Sequence, residues 1–404
     1  MHGRVARRAV VASSLIALTA CGGSSHQAGH TSSDGPVAGA SVAHLRSVAP
    51  RHLSATSPIV VSYDVPLTGA TALPTLSPAM PGSWSRHGST AVFTPTRAYP
   101  PDTTVRVNGV RRTGGPAHTI ATRVTPHGSL VRAQQILADL HYLPLRSTAA
   151  QPVGAAAAAA AVYSPPPGHF RWRYADVPTT LKQDWSVGKP GNVMRGAVIA
   201  FQHDAGLPMD GSIGTDTWHA LLAAAAKHKV DPHQYSYVSA NLYLPQRLSV
   251  WVAGKTVLTS PVNGGVASAP TPLGTYPVYE RFTSTTMSGT NPDGSHYSDP
   301  GVPWVNYFSG GSAVHGFPRA SYGSPQSVGC LELPIPTAAE VYQLINYGTL
   351  VTVVGPYVPP PPATAKPQAP HSTSSPSPKP SPTHSASHSP APSPKPSGSP
   401  THKH

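Results

Sequence analysis

Residues 315–330 read His-Gly-Phe-Pro-Arg-Ala-Ser-Tyr-Gly-Ser-Pro-Gln-Ser-Val-Gly-Cys, from His315 to Cys330. A histidine and a cysteine joined by a Gly- and Ser-rich loop are the minimum set for thiolate chemistry: the imidazole takes the thiol proton and the sulfur attacks a carbonyl. The chain has two cysteines, and the other, Cys21, belongs to a separate N-terminal signal, so Cys330 is a lone thiol. Taken singly, each residue has a plainer reading, the cysteine as a small buried hydrophobe and the histidine as a satisfied core residue. Their pairing across one short loop favours chemistry.

The flanks of this stretch, residues 235–356, are patterned as strands. Leu248-Ser249-Val250-Trp251-Val252 alternates, Ala253-Gly254 turns, and Lys255-Thr256-Val257-Leu258-Thr259 returns, which predicts a hairpin. Val302 to Phe308 and Ala313-Val314-His315 add strand character before the loop. Ala338 to Tyr347 reads as a short helix before a last strand, Leu350 to Val354. This segment is therefore expected to be mainly β, with both reactive candidates at or just past strand ends.

Upstream, residues 126–229 change to a helical period. An apolar face runs through Leu130, Val131, Ile136, Leu137 and Leu140, a second helix starts at Val193, and a third follows Asp210-Gly211-Ser212-Ile213-Gly214, capped by Thr215 or Asp216. Gln134-Gln135-Ile136-Leu137, Ala197-Val198-Ile199-Ala200-Phe201-Gln202 and the run Gly206 to Trp218 resemble the three-helix peptidoglycan-binding module. Residues 146–192 read as an insertion between its first two helices. Ala155 to Ala161 beside Pro165-Pro166-Pro167 is expected to be a connector rather than a helix, since seven residues do not offset nucleation. Phe170, Trp172, Tyr174 and Trp185 could stack on sugar rings or pin the insertion to a neighbouring domain, and the second is favoured.

Residues 44–125 hold short strand-like runs, Ile59 to Tyr63, Ala91 to Thr94 and Thr103 to Val107, punctuated by Pro and Gly. A small β-sandwich is expected, with Trp84 as a core aromatic. Ser77-Pro78, Trp84 and Phe93-Thr94-Pro95 resemble bacterial immunoglobulin-like domains.

The two ends have other characters. Arg4, Arg7 and Arg8 precede an apolar run from Ala9 to Leu18 that is too short for a permanent span, as in a secretory signal over residues 1–20. Leu18-Thr19-Ala20-Cys21 resembles the bacterial lipobox, which implies lipidation of Cys21, a membrane-anchored lipoprotein on the cell-wall side, and a flexible tether over 21–43. Residues 357–404 are mostly Pro, Ser, Thr, Ala, His and Lys without an acidic residue, a cationic tail expected to be disordered. It could associate with anionic wall polymers or merely solubilise the end. The whole chain has 404 residues, 49 Pro, 36 Gly and a net charge of +13, with its Lys and Arg scattered rather than set in an aromatic-interleaved stripe. Nucleic-acid binding is therefore not expected, and an anionic wall or membrane surface suits the charge better.

Gln246-Arg247-Leu248, Thr271-Pro272-Leu273-Gly274-Thr275-Tyr276, His315-Gly316 and Ser327-Val328-Gly329-Cys330 together resemble the L,D-transpeptidase catalytic domain. Fourteen residues lie between His315 and Cys330, as in that family. The resemblance implies a cysteine acyltransferase of peptidoglycan. Cys330 would attack the carbonyl joining the third stem residue to a terminal D-alanine, and His315 would be the base, oriented by the Gly316 carbonyl. Gly329 and Cys330 N–H groups would hold the oxyanion, with Ser327 in the same turn and Tyr297 near the oxyanion. The acceptor would be the side-chain amine of the third residue in a neighbouring stem.

Two positions depart from the family. Val328 stands where a histidine is usual, and Glu332 where Asn or Arg is usual. Glu332 would raise the thiol pKa unless a partner such as Arg319 neutralised it. Two alternatives stay open: an L,D-carboxypeptidase, with water as acceptor, and a wall-binding lipoprotein with impaired catalysis. No metal and no cofactor are expected, because His371, His384, His388, His402 and His404 show no ligand spacing.

Overall fold

The computed structural model describes residues 42–69 and 71–356. The expected signal segment 1–20, Cys21, most of the 21–43 tether and the 357–404 tail lie outside the described residues. Among the described residues the chain is mainly β, with five sheets and six helices.

Two sheets form first. One has the order β1 (Leu45–Ala49), β2 (Ile59–Tyr63), β5 (Thr90–Pro95) and β4 (Gly82–His87); the other has β3 (Thr75–Ser77), β6 (Thr104–Val110) and β7 (Ala117–Val124). Side chains alternate across a strand, so β2 turns Ile59, Val61 and Tyr63 inward, and β6 turns Val105 and Val107 inward to the same buried cluster. Fully burying a side chain of this size stabilises by about 1.5–3 kcal/mol. Trp84 packs on Phe93 at 5.5 Å between ring centroids, against that core.

The helical region contains α1 (Leu130–Asp139), α2 (Ala155–Ala161), α3 (Thr179–Gln183), α4 (Asn192–Asp204) and α5 (Thr215–Ala226), with a small hairpin of β8 (Leu145–Ser147) and β9 (Phe170–Trp172). Ile136, Leu137, Leu181, Val198, Phe201 and Trp218 meet in its core. The Gln202 side chain organises the loop before α5: its Nε2 donates to Asp210 Oδ1 at 2.7 Å and to the Ser212 carbonyl at 2.9 Å, and its Oε1 accepts from the Gly211 N–H at 2.9 Å. The expected cap moves by one residue. Gly214 holds the N-cap position of α5, and Thr215 instead donates its hydroxyl to the Asp102 carbonyl at 2.6 Å.

The alanine run corrects the expectation of a connector, because Ala155–Ala161 is a helix. Tertiary contacts supply what seven alanines cannot. Val162 at its end is buried in the helical core, its carbonyl accepts from the Ser129 N–H at 2.8 Å, and Tyr163 donates to the Tyr99 carbonyl at 2.8 Å. The neighbouring aromatics do pin this segment. Phe170 meets Trp185 edge-on at 5.3 Å, Tyr174 meets Trp251 at 5.3 Å, and Trp251 Nε1 donates to the Asp176 carbonyl at 2.7 Å.

The last region has two sheets around one helix. The first runs β12 (Lys255–Pro261), β11 (Arg247–Val252), β10 (Ser236–Asn241), β18 (Leu350–Val354) and β13 (Gly274–Pro277), parallel only between β10 and β18. Its β11–β12 turn places Ala253 at φ 46° and Gly254 at φ 99°, the two left-handed residues a tight hairpin requires. The second runs β14 (Glu280–Thr290), β15 (His296–Ser309), β16 (Ser312–Gly316) and β17 (Leu331–Leu333). Helix α6 (Ile335–Leu344) starts after Pro334 and ends three residues before the expected Tyr347. Val238, Leu248, Phe308, Val314, Leu331 and Val341 bring both sheets and α6 into one core.

The helical region meets this one with almost no gap. A Cβ built on Gly196 of α4 would lie 2.4 Å from the Gly348 carbonyl oxygen, so a larger residue there would have to push two backbones apart.

Candidate active site

β16 and β17 pair in parallel, with Val314 opposite Leu331, His315 opposite Glu332 and Gly316 opposite Leu333. Parallel neighbours need a crossover, and the loop from 317 to 330 supplies it. That topology returns Cys330 to the end of β17 beside the strand that carries His315. Both border one cleft of about 200 Å³, together with Tyr297, Arg319, Val328 and Glu332.

His315 is 3% exposed, and its Nδ1 lies 3.1 Å from the Gly316 carbonyl oxygen. A carbonyl can only accept, so Nδ1 carries the hydrogen of that bond and Nε2 keeps a lone pair. Burial lowers the imidazole pKa below its ordinary value, and the Gly316 bond and the Glu332 charge only partly oppose that. The ring is therefore neutral at pH 7.

Cys330 is pushed up to about 11, by burial first and the Glu332 charge to a smaller degree, against a backbone N–H from Ala313. The resting group is a thiol. Its Sγ lies 3.9 Å from the Gly311 carbonyl oxygen, and among the described residues it makes no hydrogen bond to His315. The pair thus rests uncharged on either side, so a nucleophilic role for the sulfur would require proton transfer along with attack.

The turn before β17 is held by its own side chain. Ser327 Oγ donates to the Cys330 carbonyl at 2.7 Å and accepts from the Gly329 N–H at 3.2 Å. Gly329 sits at φ 107°, in the left-handed region that favours glycine. Its N–H is therefore engaged inside the turn rather than turned to the cleft.

Glu332 is 4% exposed and does find Arg319. The guanidinium donates from Nε to Oε2 and from Nη2 to Oε1, both at 2.8 Å, a bidentate pair. Arg319 also lies over the Phe317 ring at 4.7 Å. The negative charge beside Cys330 is thus matched. Val328 is 38% exposed and lends an apolar wall to the cleft.

Tyr297 comes from the long β14–β15 hairpin, where it pairs with Gly289. A Cβ on Gly289 would sit 2.6 Å from Tyr297 Oη, so the glycine leaves room for this ring. Burial raises the phenol pKa, and ionisation of Cys330 would raise it further, so it stays a donor. The same hairpin adds Met287, Asn291 and Asp299 to the cleft, none of which the strand pattern singled out. Asp293-Gly294 at its turn was the signal available in the sequence.

A second group has metal-ligand chemistry. Among the described residues, Asp204, Asp231 and His233 bring ligand atoms within 4.8 Å of one another, in a cavity other than that of Cys330. Asp204 Oδ2 accepts from Tyr142 Oη at 2.9 Å, and Asp231 Oδ1 from the His233 N–H at 2.7 Å.

Comparison with known proteins adds two domain matches. Residues 236–353 match the L,D-transpeptidase catalytic domain, and residues 174–221 match a peptidoglycan binding domain. The second match is narrower than the expected 126–229: it takes in α3, α4 and the first part of α5, and leaves α1 outside. Among solved structures, an L,D-transpeptidase from Mycobacterium smegmatis is 14% identical, over 77% of this chain and 99% of its own, with a TM-score of 0.27. L,D-transpeptidase 3 from Mycobacterium tuberculosis is 14% identical, over 77% and 98%, with a TM-score of 0.28. The catalytic domain of the E. faecium L,D-transpeptidase is 26% identical, over 30% and 96%, with a TM-score of 0.28. No curated protein matches the chain.

Proposed function

With an L,D-transpeptidase catalytic domain at residues 236–353 and a peptidoglycan-binding domain at 174–221 as premises, we propose that the protein is a peptidoglycan crosslinking enzyme that works through a thioester on Cys330. The observation that carries this reading is the placement of Cys330 and His315 at one cleft, with Nδ1 committed to Gly316 and Nε2 left as base.

In the first half-reaction the Cys330 proton passes to His315 Nε2 as the sulfur adds to the carbonyl between the third stem residue and D-alanine. The oxyanion is held by the Cys330 N–H and the Tyr297 hydroxyl. The C–N bond then breaks, His315 returns the proton to the leaving amine, and D-alanine departs. In the second, the side-chain amine of a neighbouring stem attacks the thioester, gives a proton to His315, and the sulfur leaves and regains it. Water in place of the amine gives carboxypeptidase activity. In this reading Gly329 shapes the turn rather than donating to the oxyanion, and Arg319 limits how far Glu332 opposes thiolate formation.

The cell-wall-acting domains point to an exported protein. Lipidation of Cys21, an immunoglobulin-like spacer over 44–125, and a wall-associating tail over 357–404 complete the proposal. Incubating the purified chain with a tetrapeptide muropeptide should release D-alanine and give dimers by mass spectrometry, and neither should appear with Cys330→Ala. A wild-type chain without turnover would sink the enzyme reading. The thiol held near 11 and the apolar Val328 favour the second reading, a wall-binding protein with impaired catalysis; carbapenem acylation of Cys330 in wild type would reject it.

A further inference from the structure

Three formally charged side chains border the Cys330 cleft among the described residues: Asp299, Arg319 and Glu332. Arg319 and Glu332 cancel each other in their bidentate pair. Asp299 is left over. Among the described residues it makes no ion pair, and its carboxylate accepts no hydrogen bond.

Its position is set by the strand. Asp299 follows Tyr297 by two residues on β15, so both project from the same face, while Ser298 and Pro300 between and after them are exposed. Asp299 pairs with Met287 across the hairpin, and Met287 borders the cleft as well. A solvated hairpin carboxylate would sit on the outer face. This one is half-buried beside a neutral thiol and a neutral imidazole, so the cleft carries one net negative charge. A carboxylate partly removed from water gains most from a cationic partner.

We infer that Asp299 selects the acceptor: it holds the ammonium form of an alkylamine side chain at the thioester, and it disfavours amines that carry a free carboxylate beside them. This rests on the thioester reading proposed above. An alkylamine has an ordinary pKa of about 10.4, so it arrives as a cation. On transfer the ammonium loses two protons. One returns to the Cys330 sulfur through His315 as the C–S bond breaks, and the other leaves to water, while the new C–N bond forms. Asp299 changes neither charge nor covalency. An amine with an adjacent carboxylate is a zwitterion and gains no net attraction.

The test uses the full chain, with a tetrapeptide donor and two acceptor peptides that differ only in a free or amidated carboxyl next to the amine. Wild type should prefer the amidated acceptor, and its acceptor KM should rise with salt. Asp299→Asn should raise that KM by about tenfold or more, remove the preference and flatten the salt response, and Asp299→Glu should restore part of each. Thioester formation from the donor alone, read by mass, is the internal control. Thioester formation with unchanged KM, preference and salt response in Asp299→Asn would overturn the assignment and leave the transpeptidase reading intact. No thioester in wild type would overturn both.

Discussion

Gln202 and the Cys330 cleft are both polar places inside this protein, and they are finished in opposite ways. Around Gln202 the amide nitrogen and oxygen are met by Asp210, Ser212 and Gly211, and the side chain is 1% exposed. Around Cys330 the supporting groups are satisfied, with Glu332 on Arg319 and His315 Nδ1 on Gly316, while the groups that face the cavity, Asp299 and the thiol, are left without strong partners. A closed network fixes a loop, and an open one leaves polar groups free to take a ligand.

Removing the open group itself should have the largest effect. Cys330→Ala is expected to abolish thioester formation, read as loss of the acyl mass shift, with the melting temperature nearly unchanged. Breaking the support beneath it comes next. Arg319→Ala leaves Glu332 unpaired, and because Arg319 is 30% exposed the cost falls below that of a fully buried pair, at about 2–3 kcal/mol in denaturant unfolding. The same variant should slow acylation at neutral pH, since an unmatched Glu332 raises the thiol further, and adding Glu332→Gln should recover both.

The closed network should respond in stability alone. Gln202→Ala strands the Gly211 N–H and is expected to cost about 2 kcal/mol, with acylation unchanged once the chain is folded. Equal loss of acylation and stability would contradict the contrast between the two places. Gly289→Ala should do the reverse, displacing Tyr297 and slowing acylation by about tenfold.

The smallest effect is in pH. His315 has a folded pKa below its unfolded value of about 6.5, so the unfolded chain binds more protons as pH falls. Its contribution to stability is complete above about 6.5 and is lost progressively as pH falls from there to the lower folded value; His315→Asn should remove that slope from a plot of unfolding free energy against pH. The acid limb of acylation should likewise lie below pH 6.5.

Much of this contrast could be read from residues. The β11–β12 hairpin announced itself through alternation and Ala253-Gly254, and the proximity of His315 and Cys330 through their spacing. The β14–β15 hairpin did not. Its first strand, Glu280–Thr290, is largely exposed and rich in Thr and Ser, so it lacks the apolar period that marks a strand, and Asp299 went unseen with it. Ala155–Ala161 misled for another reason: its helix depends on anchors at Val162 and Tyr163, which propensity does not register. The binding domain was recognised by its motifs, yet its matched span starts at Tyr174, within the segment that had looked like an insertion.

Gly196 and Gly348 touch with no side chain between them. A joint of two bare backbones has no padding to compress. A side chain on either glycine would have to part α4 from the turn before β18, so the angle between the helical region and the last sheets is set by a pair of glycines, the smallest of residues.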